Sequence, residues 1–597
     1  MFSQIGLLPL ALLISATLIA FPFSRYLAWI MDGQYRPWGC FAWFENRLTS
    51  GGQTWMQYMG SLLIFNTVLF VFGFLILALQ PWMPLNPDAK TLLAPSTIFN
   101  TVASFMTNTD LQHYAGEQYF SNFSQIFFGL TNLFISAAIG LSALAAITRA
   151  LRSDAHMGNF FLDIWRVVIY LFLPLAFVFA IIFMWQGTPE TYHSAYQVTT
   201  LEQKAQTIIV GPVAAFEAIK MLGTNGGGFY GMNSAHPFEN PTALSNFFNM
   251  LAMMIFPFSL VLMYGRMLKQ IRHSLVIFGV MLTFMVGTMM WTIHYDTMKP
   301  NPALTQHATR SFTIANPNAL NEKININLPQ IAGLPVDQHL GNLEGKEMRF
   351  GTSAGATFAA LTTDVTCGAV NAEMDSLNPL AAISPMIGMW LNCIFGGKGV
   401  GMINMLLYII IGIFLAGMMV GRTPEYLGKK IGSREVKLAI VGILVHPLMI
   451  LMPLGLFAAT VWGMNAVSNP GAHGLSQMLY QFSSASANNG SAFDGLNVTY
   501  GFYNNANPAP EAIAWDIATG LVMIFSRFLP IVAPMAMAAY LGSKKTSPFG
   551  MGTLRVDTLT FAILLIATVV IVGALLFLPI AALGPLAEHL GPIPFGG

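Results

Sequence analysis

Long apolar segments alternate with polar connections along almost the whole chain. Ten of these segments reach about 20 residues, the length that an α-helix needs to cross the hydrocarbon layer of a bilayer. Runs such as LLIFNTVLFVFGFLILAL and LTFAILLIATVVIVGALLFL contain no charged residue. The pattern predicts ten transmembrane helices, near residues 5–23, 59–79, 124–147, 164–185, 246–265, 274–295, 401–421, 438–462, 511–541 and 559–583.

The composition indicates a chain that is surrounded by lipid. Of its 597 residues, 55% are hydrophobic and 9% are charged, whereas charged residues make up about 25% of a typical soluble protein. The net charge of +1 provides no basic field for nucleic acid. Arg25, rather than a small-residue cleavage site, follows the first apolar segment, so we interpret this segment as a retained span. The predicted fold class is an all-α polytopic membrane protein.

Basic residues are distributed unevenly between the two sets of connections. Sixteen of the 27 Lys and Arg residues lie in the five connections that follow odd-numbered spans. The connections after even-numbered spans are much longer but hold only eight, apart from Lys398. Because cytoplasmic connections of membrane proteins are enriched in Lys and Arg, this asymmetry predicts that the odd connections are cytoplasmic and that both termini are extracytoplasmic.

Four long even-numbered connections share one layout, a short helix-forming piece followed by small and amide residues. They contain PSTIFNTVASFMTNTDLQ (95–112), PVAAFEAIKMLGTNGGGF (212–229), SAGATFAALTTDVTCGAVN (353–371) and LSQMLYQFSSASANNGSAF (475–493). The order of span, short helix, loop and span therefore occurs four times, as in the internal repeats of transporters. Non-helical backbone survives at membrane depth only where protein or a water-filled cavity receives its polar groups. The pattern predicts four re-entrant pore loops.

The tip of each predicted loop suits the binding of a dehydrated cation. Glycine reaches backbone angles that turn carbonyl groups toward one axis, and rings of carbonyls can replace the water around an ion. Each short helix would also point its negative C-terminal end at that ion. The residues that we place at the narrowest level of the pore are Thr109, Gly226, Gly368 and Gly490. The residues beside them are Asn108, Asn225, Cys367 and Asn489. The alternative interpretation is four ordinary Gly/Asn-rich surface turns.

Two polar side chains fall inside predicted spans. Arg527 lies near the middle of the ninth span, where an arginine costs about 3 kcal/mol or more on insertion scales and therefore faces a cavity or a partner. The alternatives to a functional role of Arg527 are an ion pair with Asp516 and simple structural anchoring. His446 precedes Pro447, and we interpret it as a hydrogen-bonded buried group at a helix kink rather than as an ion ligand.

Four motifs carry a resemblance to a known family. They are GTNGGGFYGMNSAHPFENPTALSNF (223–247), TCGAVN (366–371), GRTPEYLGKKI (421–431) and SANNGSAF (486–493). Over essentially its whole length the sequence resembles the KdpA family, the potassium-transporting subunits of the Kdp P-type ATPase. The resemblance implies four membrane–pore–membrane repeats, as in the superfamily of potassium transporters. The implied boundaries are 1–58 for the first span and its loop, 59–147, 148–265, 266–421 and 422–541 for repeats 1 to 4, and 542–597 for the last span and an external C-terminus.

The resemblance also implies a division of labour between subunits. A KdpA-type chain binds extracytoplasmic potassium, its substrate, which passes through an intersubunit tunnel to the P-type ATPase subunit KdpB. The subunits KdpC and KdpF complete this complex of the bacterial inner membrane, and no cofactor is expected. The chain itself contains neither a D-K-T-G-T phosphorylation motif nor a Walker-type loop, which indicates a non-catalytic subunit. The alternatives are a stand-alone potassium channel or symporter of the Trk/Ktr type and a scaffold subunit without a pore.

Carried over motif by motif, the resemblance implies a potassium filter formed by all four loops. Its residues are Asn108, Thr109, Asp110, Gln112, Thr224, Asn225, Gly226, Gly227, Thr366, Cys367, Gly368, Asn488, Asn489 and Gly490. The sequence departs from the family pattern at Asp110 and Leu111, where relatives have an amide and a tryptophan, and at Asn392, where they tend to have a glutamate. Asp110 would either concentrate cations electrostatically or pair with a nearby base.

Three further regions are implied to control permeation or to dock partners. Arg527 matches a family arginine that lies below the filter and opposes free passage of potassium. The glycines of FGGKGVG, among them Gly396 and Gly397, would let the seventh span break into a blocking loop, and a helix-end turn without a gating role is an equal alternative. The basic loop Arg422–Lys437 is either a lipid-headgroup anchor or a docking surface for a cytoplasmic domain.

Overall fold

Ten membrane-spanning helices form the body of the protein, as the hydropathy pattern predicts. The structure is a computed structural model that describes residues 2–37, 39–49, 51–301, 310–315, 323–328, 341–421, 423–496, 510–546 and 554–590. Arg422, which the sequence analysis counts in a basic connection, and residues 591–597 of the predicted C-terminal segment lie outside these ranges. The predicted number of spans is confirmed.

The helices are numbered here in chain order. They are α1 (Phe2–Met31), α2 (Gly39–Leu48), α3 (Trp55–Ala78), α4 (Pro95–Met106), α5 (Asn122–Arg152), α6 (Phe160–Gln186), α7 (Val213–Leu222), α8 (Ala243–Met267), α9 (Ile271–Thr297), α10 (Thr352–Asp364), α11 (Pro379–Leu391), α12 (Val400–Val420), α13 (Ser433–Ala458), α14 (Ala472–Ala487), α15 (Pro510–Gly542), α16 (Leu559–Leu583) and α17 (Pro585–Leu590). The spans are α1, α3, α5, α6, α8, α9, α12, α13, α15 and α16. Single π-helical segments interrupt α5, α6 and α9.

Four short helices, α4, α7, α10 and α14, each lie between two spans and form the pore helices of four repeats. The first, second and fourth repeats are α3–α4–α5, α6–α7–α8 and α13–α14–α15. In the third repeat, α9 and α10 are followed by two helices, α11 and α12, that are separated by residues 392–399. The sequence analysis predicted only the second of these as a span. The first span packs on α8, and the last packs on α9 and α12, outside the four repeats.

The spans divide into an inner and an outer group. Within the most apolar stretch of each helix, 78% of the residues of α5, 89% of α8 and 67% of α15 are buried, against 22% for both α1 and α3. The outer helices expose large apolar side chains such as Leu10, Ile64 and Leu575, and lipid is the surroundings in which such a surface is stable. The second span of each repeat therefore faces the centre of the molecule.

Three two-stranded antiparallel hairpins lie in the described parts of the connections. Strands β1 (Ala195–Thr199) and β2 (Ala205–Ile209) pair Ala195 with Ile209, and strands β3 (Arg310–Ala315) and β4 (Lys323–Leu328) pair Arg310 with Leu328. Strands β5 (Glu425–Tyr426) and β6 (Lys429–Lys430) form the hairpin of the GRTPEYLGKKI motif. The first two hairpins belong to the connections that carry the second and third pore helices.

The odd-numbered connections meet at one end of the helix bundle, which we call the basic end. Arg152 pairs with Asp32 at 3.0 Å and donates a hydrogen bond to the carbonyl of Met267 at 3.0 Å. Lys429 of the motif hairpin donates to the carbonyl of Leu151 at 2.8 Å and is almost fully buried. At least this lysine of the basic loop therefore joins connections of one chain instead of facing lipid or a partner. The pore-helix connections lie at the opposite end, which we call the mouth end.

Candidate ion-binding site

The four pore helices end in the same backbone conformation. After each helix, one residue has a left-handed φ, namely Asn108 (60°), Thr224 (42°), Thr366 (47°) and Asn488 (53°). The next amide then donates back to the carbonyl five residues earlier, in the pairs Thr109–Ser104 (3.0 Å), Asn225–Lys220 (3.0 Å), Cys367–Thr362 (2.7 Å) and Asn489–Ser484 (3.0 Å). Such helix-end hydrogen bonds satisfy carbonyls that have no partner within the helix. The repetition defines which residues of the four loops are equivalent.

The residue after this turn again has positive φ in all four loops. It is Asp110 (52°), Gly226 (95°), Gly368 (91°) or Gly490 (105°). Asp110, and not Thr109, is therefore the equivalent of the three glycines, and Thr109 belongs with Asn225, Cys367 and Asn489. The alignment predicted for the first loop is wrong by one residue. It failed because this loop has no glycine that marks the position in the sequence.

The loops surround one centre. A Cβ atom added to Gly226 would lie 2.1 Å from the carbonyl oxygen of Cys367, and one added to Gly368 would lie 2.0 Å from that of Asn489. The same construction on Gly490 places the atom 2.0 Å from the carbonyl oxygen of Thr109. Each glycine thus packs against a carbonyl of the next repeat. The second repeat contacts the third, the third contacts the fourth, and the fourth contacts the first. No other residue fits at this distance.

Side-chain amides join the first and second loops and complete the ring. Asn108 donates from Nδ2 to the carbonyl of Thr224 at 2.9 Å, and Asn225 donates from Nδ2 to Oδ1 of Asn108 at 3.0 Å. Gln112 makes two hydrogen bonds with the backbone of Gly228, at 3.0 Å from its Nε2 and at 2.9 Å to its Oε1. The predicted filter residues all lie in these four loops, and Gln112 acts there as a clamp between neighbouring loops.

Asp110 is a buried carboxylate inside this ring. The residue is 1% exposed, and neither carboxylate oxygen has a hydrogen-bond partner among the described residues. Asp110 forms no direct ion pair within the described part of the chain, but Arg527 interacts electrostatically with its carboxylate, so the alternative of pairing with a nearby base stays a prediction. It lines a small cavity on the mouth side of the loops, together with Asn233, Gly368 and Gly490. A buried carboxyl group without a direct partner either binds a compensating cation or takes up a proton.

Arg527 lies on the basic side of the loops. It is 4% exposed, and its Nη2 donates to the carbonyl of Ser136 at 3.1 Å. The alternative of an ion pair with Asp516 is wrong, because Asp516 is bound elsewhere. One of its oxygens contacts Nδ1 of His113 at 2.7 Å and the other accepts from Oγ1 of Thr97 at 3.0 Å.

The break between α11 and α12 packs directly against the third pore loop. Gly397 donates from its amide to the carbonyl of Val365 at 2.7 Å. Cβ atoms added to Gly396 and Gly397 would lie 3.3 and 3.1 Å from side-chain atoms of Thr366. Lys398 follows and is 1% exposed, with its ammonium 4.8 Å from the centre of the Phe256 ring. Its Nζ has no hydrogen-bond partner among the described residues.

Sequence reasoning missed the burial of Lys398, and the available signal was a single charge within an otherwise uncharged glycine-rich run. It also missed Lys220 and Asn233, which stand next to the second loop. A lysine three residues after a glutamate in a predicted pore helix was the signal for Lys220.

A second polar cavity lies beside the fourth loop, between α12, α13 and α15. Its polar lining includes Asn392, Asn404, His446, Ser486 and Ser526. His446 contacts Oγ of Ser486 at 2.7 Å through Nδ1 and the carbonyl of Met389 at 2.9 Å through Nε2. Both ring nitrogens are therefore occupied, as expected for a hydrogen-bonded buried group.

Comparison with known proteins identifies the family. The sequence profile of KdpA, described as the potassium-transporting ATPase A subunit, matches residues 10–590. The chain belongs to the KdpA family. A protein of Geobacillus kaustophilus is 41% identical over 539 residues, which cover 90% of this chain and 89% of that one. A protein of Pseudomonas entomophila is 42% identical over 585 residues, which cover 95% of each chain. Both are named potassium-transporting ATPase potassium-binding subunit.

A solved structure also matches this KdpA-family chain. It is the potassium transporter TrkH from Vibrio parahaemolyticus, with 11% sequence identity and a TM-score of 0.48. The match covers 89% of this chain and 97% of TrkH. The KdpA resemblance inferred from the motifs is confirmed. The motifs at residues 223–247, 366–371 and 486–493 form the second, third and fourth pore loops.

Proposed function

We propose that this chain is the potassium-binding and translocating subunit of an ATP-driven Kdp-type uptake complex. It would bind extracytoplasmic potassium between the four loops and pass it to the P-type ATPase subunit KdpB, with KdpC and KdpF as further partners in the bacterial inner membrane. The observation that carries this proposal is the closed arrangement of the loops, in which Gly226, Gly368 and Gly490 each pack against a carbonyl oxygen of a neighbouring loop. The names of the relatives support potassium as the ion.

The loops supply three sources of negative potential for a cation. The carbonyls of Thr109, Cys367 and Asn489 each lie against a glycine of the neighbouring loop, and such oxygens can take the place of hydration water. The C-terminal ends of α4, α7, α10 and α14 precede the loops, and each carries a partial negative charge. Asp110 adds a full charge. Together these groups compensate the loss of water from an ion without strong binding by any single group.

We infer that the ion leaves sideways, through the polar cavity beside the fourth loop. Arg527 and Lys398 place two buried basic side chains on the basic side of the ring, and the positive charge of Arg527 opposes direct passage toward the basic end. The cavity lined by Asn392, Asn404 and Ser526 offers polar groups instead. It is the proposed start of the path to the ATPase subunit.

Purification of the chain with its native partners tests the proposal. We expect it to co-elute in detergent with a larger P-type ATPase and to give potassium-dependent ATP hydrolysis, while the polypeptide alone conducts no potassium in liposomes. Potassium flux through the isolated polypeptide would instead establish a stand-alone channel or symporter. A Gly226→Ser variant with unchanged ion selectivity in the complex would favour a scaffold subunit without a pore.

A further inference from the structure

A fully buried lysine stands behind the second pore loop. Lys220 lies in the last turn of α7 and is 0% exposed. Its ammonium contacts carboxylate oxygens of Glu217 and Glu239, each at 2.5 Å. It also donates to Oδ1 of Asn233 and to Oγ of Ser234, both at 2.9 Å. Two carboxylates already compensate the charge of this lysine, so its contact with Asn233 is additional to what burial of the ammonium requires.

Asn233 connects this lysine to the filter. Its Oδ1 accepts from Lys220 and from the amide of Ser234 at 2.8 Å, while its Nδ2 donates to the carbonyl of Gly226. An ammonium group can only donate hydrogen bonds and a carbonyl can only accept them. The side-chain amide between the two must therefore turn its oxygen to Lys220 and its nitrogen to Gly226. Lys220 and the backbone amide of Ser234 together fix the orientation of the side-chain amide.

This arrangement distinguishes the second loop from the others. Gly226, Asp110, Gly368 and Gly490 are equivalent in backbone conformation, but within the described parts of the chain only the carbonyl of Gly226 accepts a hydrogen bond from a side chain. Asn233 also lines the mouth cavity beside Gly368 and Gly490. The amide is thus close to the point at which an ion would enter the ring.

We propose that Lys220 and Asn233 are positioning residues that hold the Gly226 carbonyl and thereby set the ion selectivity of the filter mouth. This inference rests on the proposed function of the loops in potassium binding. A carbonyl that already accepts a hydrogen bond is restrained and attracts a cation less strongly. Small ions such as Na⁺ need a stronger field than K⁺ to compensate their larger cost of dehydration. The latch, meaning the Lys220–Asn233–Gly226 chain of hydrogen bonds, would therefore favour K⁺ over Na⁺.

Two substitutions of Asn233 test the latch in the complete complex. Asn233 has a φ of 54°, a value that Gly and Asp both tolerate, so neither variant strains the backbone. Asn233→Gly removes the amide, and Asn233→Asp keeps an acceptor for Lys220 but cannot donate to Gly226. For both we expect Na⁺ to become a competitor that raises the apparent KM for K⁺ about fivefold to tenfold when Na⁺ is present, with little change in maximal uptake rate. The same change in both variants would exclude the added carboxylate of Asn233→Asp as its cause.

Two further variants keep the test decisive. The double substitution Lys220→Met with Glu239→Gln leaves the charge of the cluster unchanged and removes one of the donors that hold Oδ1 of Asn233, so it should shift selectivity in the same direction. Asn240→Ala is the control, because Asn240 is buried in the same connection but bonds to Ser245 and Asn246 instead. Unchanged KM and Na⁺ response in all the latch variants that assemble would overturn the inference, as would an equal shift in Asn240→Ala. Absence of potassium uptake by the unmodified complex would instead refute the proposed function.

Discussion

The first pore loop differs from the other three at the position where all four share one backbone conformation. Gly226, Gly368 and Gly490 have φ between 91° and 105°, whereas Asp110 has a φ of 52°. A Cβ atom added to Gly368 or to Gly490 would lie 2.0 Å from a carbonyl oxygen of a neighbouring loop. Asp110 does carry a side chain there, and its Cβ lies 2.7 Å from a Cβ built on Gly227. The fourfold arrangement thus accommodates one exception, and the exception places a carboxyl group in the ring.

We expect the largest loss of potassium uptake from a substitution of one of the three equivalent glycines. In Gly368→Ala, the new Cβ would lie 2.0 Å from the carbonyl oxygen of Asn489, in a left-handed backbone conformation, so the ring has to open. We expect potassium uptake to fall at least about 100-fold, since ion coordination depends on sub-ångström carbonyl positions. The fall is measured as the rate of potassium uptake by cells that depend on this transporter.

A matched substitution controls for the added methyl group. Gly279 lies in α9 with no atom within 4 Å of an added Cβ, and Gly279→Ala should leave uptake unchanged. Normal uptake by Gly368→Ala would show that the loops do not form a tight ring around the transported ion.

Removal of the charge in the first loop should have the next largest effect. Asp110→Gly makes this loop like the other three, and Asp110→Asn keeps the shape of the side chain. A unit charge a few ångströms from a cation contributes about 1 to 4 kcal/mol, depending on the dielectric surroundings. We therefore expect both variants to raise the apparent KM for K⁺ about tenfold or more, with Asp88→Asn in an exposed connection as the control. Retained affinity in Asp110→Asn alone would mean that shape, and not charge, is what the ion senses.

A smaller effect is expected from the clamp between the first two loops. Gln112→Leu removes both hydrogen bonds to the backbone of Gly228, each of which contributes about 1 kcal/mol. The apparent KM for K⁺ should rise about threefold to tenfold, and Gln118→Leu on an exposed turn should change nothing. Isothermal titration with K⁺ measures the same difference on the purified complex. An unaltered affinity in Gln112→Leu would show that the loops stay together without this clamp.

The smallest effect concerns the outer end of the fourth repeat and depends on pH. Burial lowers the pKa of His473, but hydrogen bonds to Asp375 and Glu588 outweigh it and raise the pKa from 6.5 to about 10. Because the folded-state pKa is raised, the stabilisation is fully present below pH 6.5 and is lost as the pH rises through 10. His473→Gln should therefore lower the melting temperature by a few degrees at pH 6.5, with the difference from the unmodified protein disappearing near pH 10.5. A difference that is constant with pH would contradict this.

Sequence alone determined the number and positions of the membrane spans and the repeat pattern of this protein. The last span is predicted at 559–583 and found at Leu559–Leu583. Two of the pore helices lie inside the segments predicted to contain them, and the other two, α10 and α14, begin one and three residues earlier. Such features depend on the local order of apolar residues, because a helix in lipid must satisfy its own backbone and expose apolar side chains. The loops were also recognisable, since glycine and asparagine mark left-handed turns.

Only the tertiary structure decided which residues of the loops are equivalent and which charges find partners. Asp110 replaces the glycine of the other loops, a relation that appears only when four distant segments are compared in space. Asp516 pairs with His113 rather than with Arg527, and Lys220 reaches the filter through Asn233. These contacts join residues from different repeats or from separate parts of one connection. Local sequence patterns carry no information about them, because they depend on how whole helices pack together.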